Sequence, residues 1–471
     1  MIDKPKIDTP HPDVADMAEH WDLPRSLYDG THEMREKGKK YLPKEEGESE
    51  DGYKARLNRT VLFNGFGKTV QDMAGRVFAK EIAFGDDVPA QIRAWAENID
   101  LTGQHINVFA NGLFLDALQV GIAHILVDTP NEPGENRASG GRPYFVHLRA
   151  EDVIGWTNET TADGVKLTSL RFYECVEEQD GYHVERIRQI RVLYPFGYEI
   201  WRKAEDRNGQ KEWTLFETGR REVEYIPLAT LYLRREGFMK AEPPLQDLAD
   251  LNVAHWQSSS DQRNILHVAR VPILFGSGFQ DTDEIVVGSG VMTRNSDPGA
   301  KLTYVEHSGA AIASGRDDLK DLEFQMQMMG LQLLVSQPGQ SATGEVRDDI
   351  KENSRLAMWA DALKDCLENA LSFMADLGGI GNDGGSLIVN KDFGISARAA
   401  TDIQSIITAH GAGMISLETA IKEMIRRGFL SDDVTPEMEM DAIAQDALNS
   451  IMDGEDMQDA ALPQPGVMPT N

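Results

Sequence analysis

The sequence comes nearest to a recognisable chemistry at FNGFGKTV, Phe63 to Val70, where Gly65-Phe66-Gly67-Lys68-Thr69 ends as a phosphate-binding loop ends. Such a loop has the form G-x-x-x-x-G-K-[ST] and follows a strand, so that opened backbone amides surround the phosphates. Leu62 stands where the first glycine is required, and the flanks read as helix on both sides. The motif is therefore read as the polar face of an amphipathic helix that carries Lys68, and no cofactor is expected. Ser258-Ser259-Ser260 offers hydroxyls, but it sits inside a helical pattern and not at a G-x-S-x-G elbow. It is read as a helix face packed against an identical neighbour.

Metal chemistry needs clustered ligands, and the 11 histidines are scattered. His124, His147, His255, His267 and His307 each stand among apolar or strand-like residues, with no HExxH or CxxC pattern. The carboxylate pairs Asp86-Asp87, Asp317-Asp318, Asp348-Asp349 and Asp432-Asp433 mostly lie beside Gly, Ser or a helix start, where they cap or are solvated. Trp156, Trp201, Trp213, Trp256 and Trp359 are spaced as core or interface anchors rather than as an exposed platform for bases. No metal site and no enzyme activity are expected.

A chain of 471 residues exceeds the length at which one core stops growing, roughly 250–300 residues, so two or more domains are expected. The formal charge of −30 argues against tight wrapping of nucleic acid, which needs clustered Lys and Arg. An acidic wall past which DNA slides is compatible with it. No run of about eighteen apolar residues occurs, so no membrane-spanning helix and no membrane partner are expected. The N-terminal residues lack the apolar stretch of a secretory signal. Two cysteines, Cys175 and Cys366, make no disulfide framework.

The elements that would position any site follow in a definite order. Residues 1–50 are polar and read as an arm with short helices. From Tyr53 to about Lys80 one helical stripe runs through Leu57, Val61, Leu62, Phe66, Val70, Met73, Val77 and Phe78. A second helix covers GQHINVFANGLFLDALQVG, and AHILVDTP is a short apolar strand. Between Tyr144 and Arg235 the period falls to two, which predicts an antiparallel meander. Pro243 and Pro244 open a helix that runs to about His267. RVPILFGSGF, EIVVGSGVMT and AKLTYVEHSG form a small strand cluster. A helix capped at Ser314, with Asp317 and Asp318 in its first turn, ends near Val335. The polar stretch VSQPGQSATGEVRDDI then interrupts the helical pattern, which resumes from Asp348 to Leu377 and stops at Gly378-Gly379. The C-terminal 431–471 contain no Lys or Arg, and about the last twenty residues read as a disordered acidic tail.

This order, together with LNRTVLFNGFGKTVQDMAGRVFAKE, PPLQDLADLNVAHWQSSSDQRNILHVARVPILFGSG and GAGMISLETAIKEMIRRGFL, resembles the portal (head–tail connector) protein of tailed bacteriophages. More narrowly, it resembles a portal-like family long catalogued as a domain of unknown function. The resemblance implies an α+β phage portal fold. After an N-terminal arm (1–52) would come a wing of helices plus antiparallel sheet (53–242). Stem helices at 243–267 and 313–336 would flank a small α/β clip at 268–312. A tunnel loop (337–347), a long wing helix (348–378), a helical crown (379–452) and the acidic tail (453–471) would follow. By resemblance the DNA-channel residues are Gln337, Pro338, Gly339, Gln340, Ser341, Thr343, Glu345 and Arg347.

The implied function is a dodecameric ring at one capsid vertex of the virion, assembled in the host cytoplasm. It would be the channel for packaging and ejection of double-stranded DNA. The implied partners are eleven further copies, the DNA itself, terminase, a head-completion or tail adaptor protein, and the major capsid and scaffolding proteins. The alternatives are a P-loop-like NTPase and another capsid-interior structural protein.

Overall fold

The computed structural model describes residues 6–130, 141–162, 164–205, 211–221, 223–269, 273–278, 299, 301–305, 310–331, 342–381, 383–391, 406–410, 414–426 and 435–440. In place of short helices, the N-terminal segment forms the eighteen-residue α1 (Pro12–Asp29), with Pro at its start and His11 accepting the Asp13 N–H. Val14, Met17 and Trp21 of α1 lie in the core beside sheet residues Val153, Trp156, Leu170 and Phe172. α2 (Thr31–Lys37) follows Gly30.

The expected single helical stretch Tyr53–Lys80 is instead two helices, α3 (Glu50–Arg59) and α4 (Gly65–Val77). The break has a local and a distant cause. Asn64 accepts the Gly67 N–H at 2.7 Å, which starts α4 afresh. Asn252, far along the chain, accepts the Phe66 N–H at 2.9 Å and donates to the Phe63 carbonyl at 2.8 Å. Most of the apolar stripe is core, with Leu62, Phe66, Val70, Met73 and Val77 buried and Leu57 and Phe78 half-buried, whereas Val61 is exposed.

After β1 (Ala83–Phe84) and α5 (Ala90–Ala96) comes the apolar α6 (Ile106–Val120), which ends at Gly121 and passes directly into β2 (Ile122–Asp128), buried throughout. The predicted antiparallel strands form, but as two sheets. β3 (Tyr144–Leu148) and β9 (Leu228–Tyr232) flank β2 in a three-stranded sheet. β4 (Val153–Thr161), β5 (Gly164–Asp180), β6 (His183–Tyr194), β7 (Gly197–Glu205) and β8 (Lys211–Arg220) make a sequential meander. β2, buried along its whole length, takes a strand on each side of it and so centres the smaller sheet. One face of the meander joins the main core, and the other buries Ile154, Ile190 and Val192 under Ile7, Tyr173, Trp201 and Trp213.

β10 (Arg235–Gly237) and β11 (Lys240–Ala241) lead to α7 (Gln246–Ala269). β12 (Ile273–Ser277) and β13 (Lys301–Val305) pair antiparallel; the third expected strand, EIVVGSGVMT, lies outside the described residues. α8 (Ala310–Met326) starts four residues before Ser314, so the predicted cap is a correction: Ser314 is inside the helix and Asp317-Asp318 are in its third turn. Ala310, Ala311, Ile312 and Ala313 carry the helix back past Ser314. A π-helical turn, Gln327–Leu331, closes α8. α9 (Ala342–Leu377) begins before the expected Asp348, and β14 (Leu387–Ile388) pairs with β1.

The chain divides into two compact units at Lys391/Asp392. Residues 379–391, grouped above with the crown, are in the first unit. In the second, α10 (Leu417–Arg426) is capped by Ser416, whose hydroxyl accepts the Thr419 N–H at 3.1 Å, and it buries Ala420 and Ile421. Residues 453–471 lie outside the described residues.

Candidate functional site

α7 and α8 form an antiparallel hairpin whose pairs can be read off in register. His255 Nε2 meets Glu323 at 3.3 Å, Ser258 Oγ donates to Asp318 at 2.6 Å, and Gln262 Nε2 donates to the Ile312 carbonyl at 2.8 Å. Gly315 permits this last approach, since a Cβ there would stand 2.2 Å from Gln262 Oε1. The strand pair β12–β13 sits between the two helices in sequence and therefore at the tip of the hairpin. At its base, Met326 is fully buried close to Gly65, and Phe63 lies against His255 with ring centroids 5.2 Å apart.

The serine run was expected to face an identical neighbour, and the structure corrects this. Ser258 serves α8, while Ser260 accepts the Thr60 hydroxyl at 2.9 Å and lies 3.4 Å from Arg56. These contacts are internal because α7 is wedged between α3 and α8. Arg56 itself is buried, with Glu48 at 2.9 Å and Asp261 at 3.6 Å.

From the base of the hairpin the chain passes through residues 332–341 to α9. Gln337, Pro338, Gly339, Gln340 and Ser341 lie outside the described residues. Thr343, Glu345 and Arg347 belong to the backbone of the first two turns of α9, so the described helix takes up the last six residues that the loop was expected to span. Further along, α9 is anchored: Leu356, Trp359, Leu363, Leu367, Leu371 and Met374 are buried. Trp359 Nε1 donates to the Leu233 carbonyl at 2.9 Å. Burial pushes the Cys366 thiol far up, so it is an inert core group.

The GFGKT motif is the first turn of α4. The amides that a phosphate would need are already taken, Gly67 by Asn64 and Phe66 by Asn252. Lys68 Nζ pairs with Asp72 at 2.5 Å one turn on, and the Thr69 hydroxyl donates to the Gly65 carbonyl. The geometry is that of a capped helix, not of a nucleotide cradle.

Residues 244–377 match a family model described as "Domain of unknown function (DUF4055)". No curated protein matches the chain. Among solved structures it is similar to "Neck of empty GTA particle computed with C6 symmetry", at 13% identity over 77% of this chain and 89% of that one, with a TM-score of 0.42. It is also similar to "Virion of native gene transfer agent (GTA) particle", at 14% identity, covering 77% and 89%, with a TM-score of 0.41. A third is "Neck of native GTA particle computed with C12 symmetry", at 13% identity, covering 76% and 88%, with a TM-score of 0.39. The matched family span runs from the start of the α7 segment to the last residue of α9.

Sequence patterns gave no warning of two buried ion clusters that fix the sheets. Arg25 of α1 reaches Asp116 of α6 at 2.6 Å and Glu151 at 2.6 Å, while His147 of β3 closes on Asp116 at 3.2 Å. Burial would raise the Asp116 carboxyl, but the His147 hydrogen bond and the Arg25 charge hold it below the usual range. Arg191 of β6 meets Asp128 of β2 at 2.6 Å and ties the meander to the three-stranded sheet. The only sequence signal is a charge inside an apolar period. Among the described residues no group of three or more His, Cys, Asp or Glu could hold a metal ion, and no helix is long and apolar enough to cross a membrane.

Proposed function

We propose that this chain is the subunit of a portal, a ring at one capsid vertex through which double-stranded DNA passes during packaging and ejection. The observation that carries the reading is the α7–α8 hairpin. It bears a strand pair at its tip and leads at its base, through residues 332–341, which are free of large apolar side chains only from Ser336 on, into the 36-residue α9. At about 1.5 Å per residue α9 is roughly 54 Å long, enough to cross a subunit and hold the preceding loop at a fixed place.

In this reading α7 and α8 are the stem and the β12–β13 region is the clip, where a tail adaptor and the packaging terminase dock. The channel lining is residues 337–347, of which 342–347 are the first turns of α9, with Gln337, Gln340, Ser341 and Thr343 as short uncharged groups facing DNA. Twelve copies close by heterologous contacts around the axis. The charge of −30 per chain supports a wall that repels the phosphate backbone instead of gripping it. The chain supplies no motor, and force comes from the terminase.

Electron microscopy of the purified full-length protein tests this directly. Rings with a central channel and twelvefold class averages are expected. A chain that stays monomeric across protein concentration and salt overturns the proposal.

A further inference from the structure

A cavity of about 370 Å³ lies between α1 and the first strands of the meander. Its apolar wall comes from Val14, Ala15, Ala18 and Trp21 on one side of α1 and from Val153 and Tyr173 on the sheet. Ala15 and Ala18 are exposed and small, so the space exists because these two positions carry no larger side chain. The volume is within the range of sites that enclose small ligands, about 300–1,000 Å³.

The rim is ionic, and its charges are unequally neutralised. Arg25 is committed to Glu151 and Asp116, each at 2.6 Å. Asp22 holds Lys37 at 2.7 Å, Lys40 at 2.6 Å and the Tyr41 hydroxyl at 2.6 Å. Asp8 is different: its carboxylate accepts the Trp213 indole N–H at 2.9 Å, and among the described residues it forms no ion pair. Arg171 is the positive charge in the neighbourhood of Asp8, but it donates to the Ile7 carbonyl at 2.8 Å and makes no ion pair with the carboxylate, so the apolar slot selects an apolar group that carries positive charge beside it.

We propose that this cavity receives an aromatic side chain of a partner polypeptide, with an adjacent cationic group placed against Asp8. The site is remote in sequence from the stem and tunnel segments, and its occupancy does not depend on ring assembly. Two probes of the same ring and opposite charge test it on the full-length protein by saturation-transfer NMR. The cationic probe is L-tryptophanamide and the anionic one is N-acetyl-L-tryptophan. Tryptophanamide is expected to bind with a Kd of about 1 mM, the scale available to a ligand of this size, and N-acetyltryptophan about fivefold or more weaker.

Ala18→Phe fills the slot and is expected to weaken tryptophanamide binding about tenfold. Asp8→Asn leaves the slot open and is expected to bring the two probes within about twofold of each other, which separates local recognition from the acidity of the whole chain. Absence of tryptophanamide binding at about 10 mM, or equal affinity for the two probes in the unmodified protein, overturns the proposal. So does a discrimination between the probes that survives Asp8→Asn.

Discussion

His124 stands in the middle of β2, wholly buried, with Nδ1 3.0 Å from the Thr230 hydroxyl of β9. Burial lowers its pKa to about 3, with His147 adding to the effect and Asp116 opposing it. The folded pKa is thus depressed below the ordinary value of 6.5. Above pH 6.5 both folded and unfolded chains carry a neutral ring and the residue is indifferent. Between about 6.5 and 3 only the unfolded chain takes up the proton, so stability falls as pH falls. From pH 7 to pH 5 this one residue costs roughly 2 kcal/mol, at about 1.4 kcal/mol per pH unit below 6.5. His124→Asn keeps a short polar group and removes the titration, so its melting temperature should drop less between pH 7 and pH 5 than that of the unmodified chain. Parallel curves would sink the assignment. The sequence places His124 in an apolar strand as a satisfied core or surface histidine, and it is found in the core. It gives no sign of Asp116 or His147, because those neighbours are brought in by α6 and β3 pairing around β2.

The elements themselves were largely legible, since α6, β2, the meander strands and α7 follow their periodicities. The misreadings are at boundaries where a distant residue decides. One apolar stripe runs through both α3 and α4, and the local signal against a continuous helix is only the Asn64 cap. The break between them is held by Asn252, 186 residues from Phe66. Likewise Ser314 looks like a cap, but the alanine-rich residues before it extend the helix, and Asp318 is used by Ser258 instead of by the helix end. At the α6–β2 junction the local signal is sufficient. Gly121 has φ +88, and a Cβ on it would meet the Glu242 carbonyl oxygen at 2.0 Å. Both obstacles are backbone, so neither can rotate away. Gly121→Ala should cost at least about 2 kcal/mol, read as a fall in the urea midpoint. An unchanged midpoint would mean that the turn relaxes and that the junction is not rigid.

Across the whole molecule the decisive quantities are the charge and the order of parts. At physiological salt the Debye length is about 8 Å, so a carboxylate wall repels duplex DNA only at close range and leaves it free to move along the axis. In the proposed channel, a constriction of uncharged side chains would make the nearest approach without adding counterion-release affinity. The polar composition of Gln337 to Gly344 made this segment visible in the sequence. The function assigned to it predicts a separation of effects. Deleting Gln337 to Gly344 removes no residue of the described hairpin and only the first three of α9, whose described anchors begin at Leu356. Rings should therefore still form, by the same microscopy that detects them in the unmodified protein. DNA packaged or retained per particle should fall severalfold, as measured by nuclease-resistant genome copies. If such particles fill and hold DNA normally, residues 337–347 do not line the channel, and the portal reading would have to place its constriction elsewhere. If rings fail to form, the segment belongs to the subunit interface, and its polar groups are then explained by contact between copies instead of by contact with DNA.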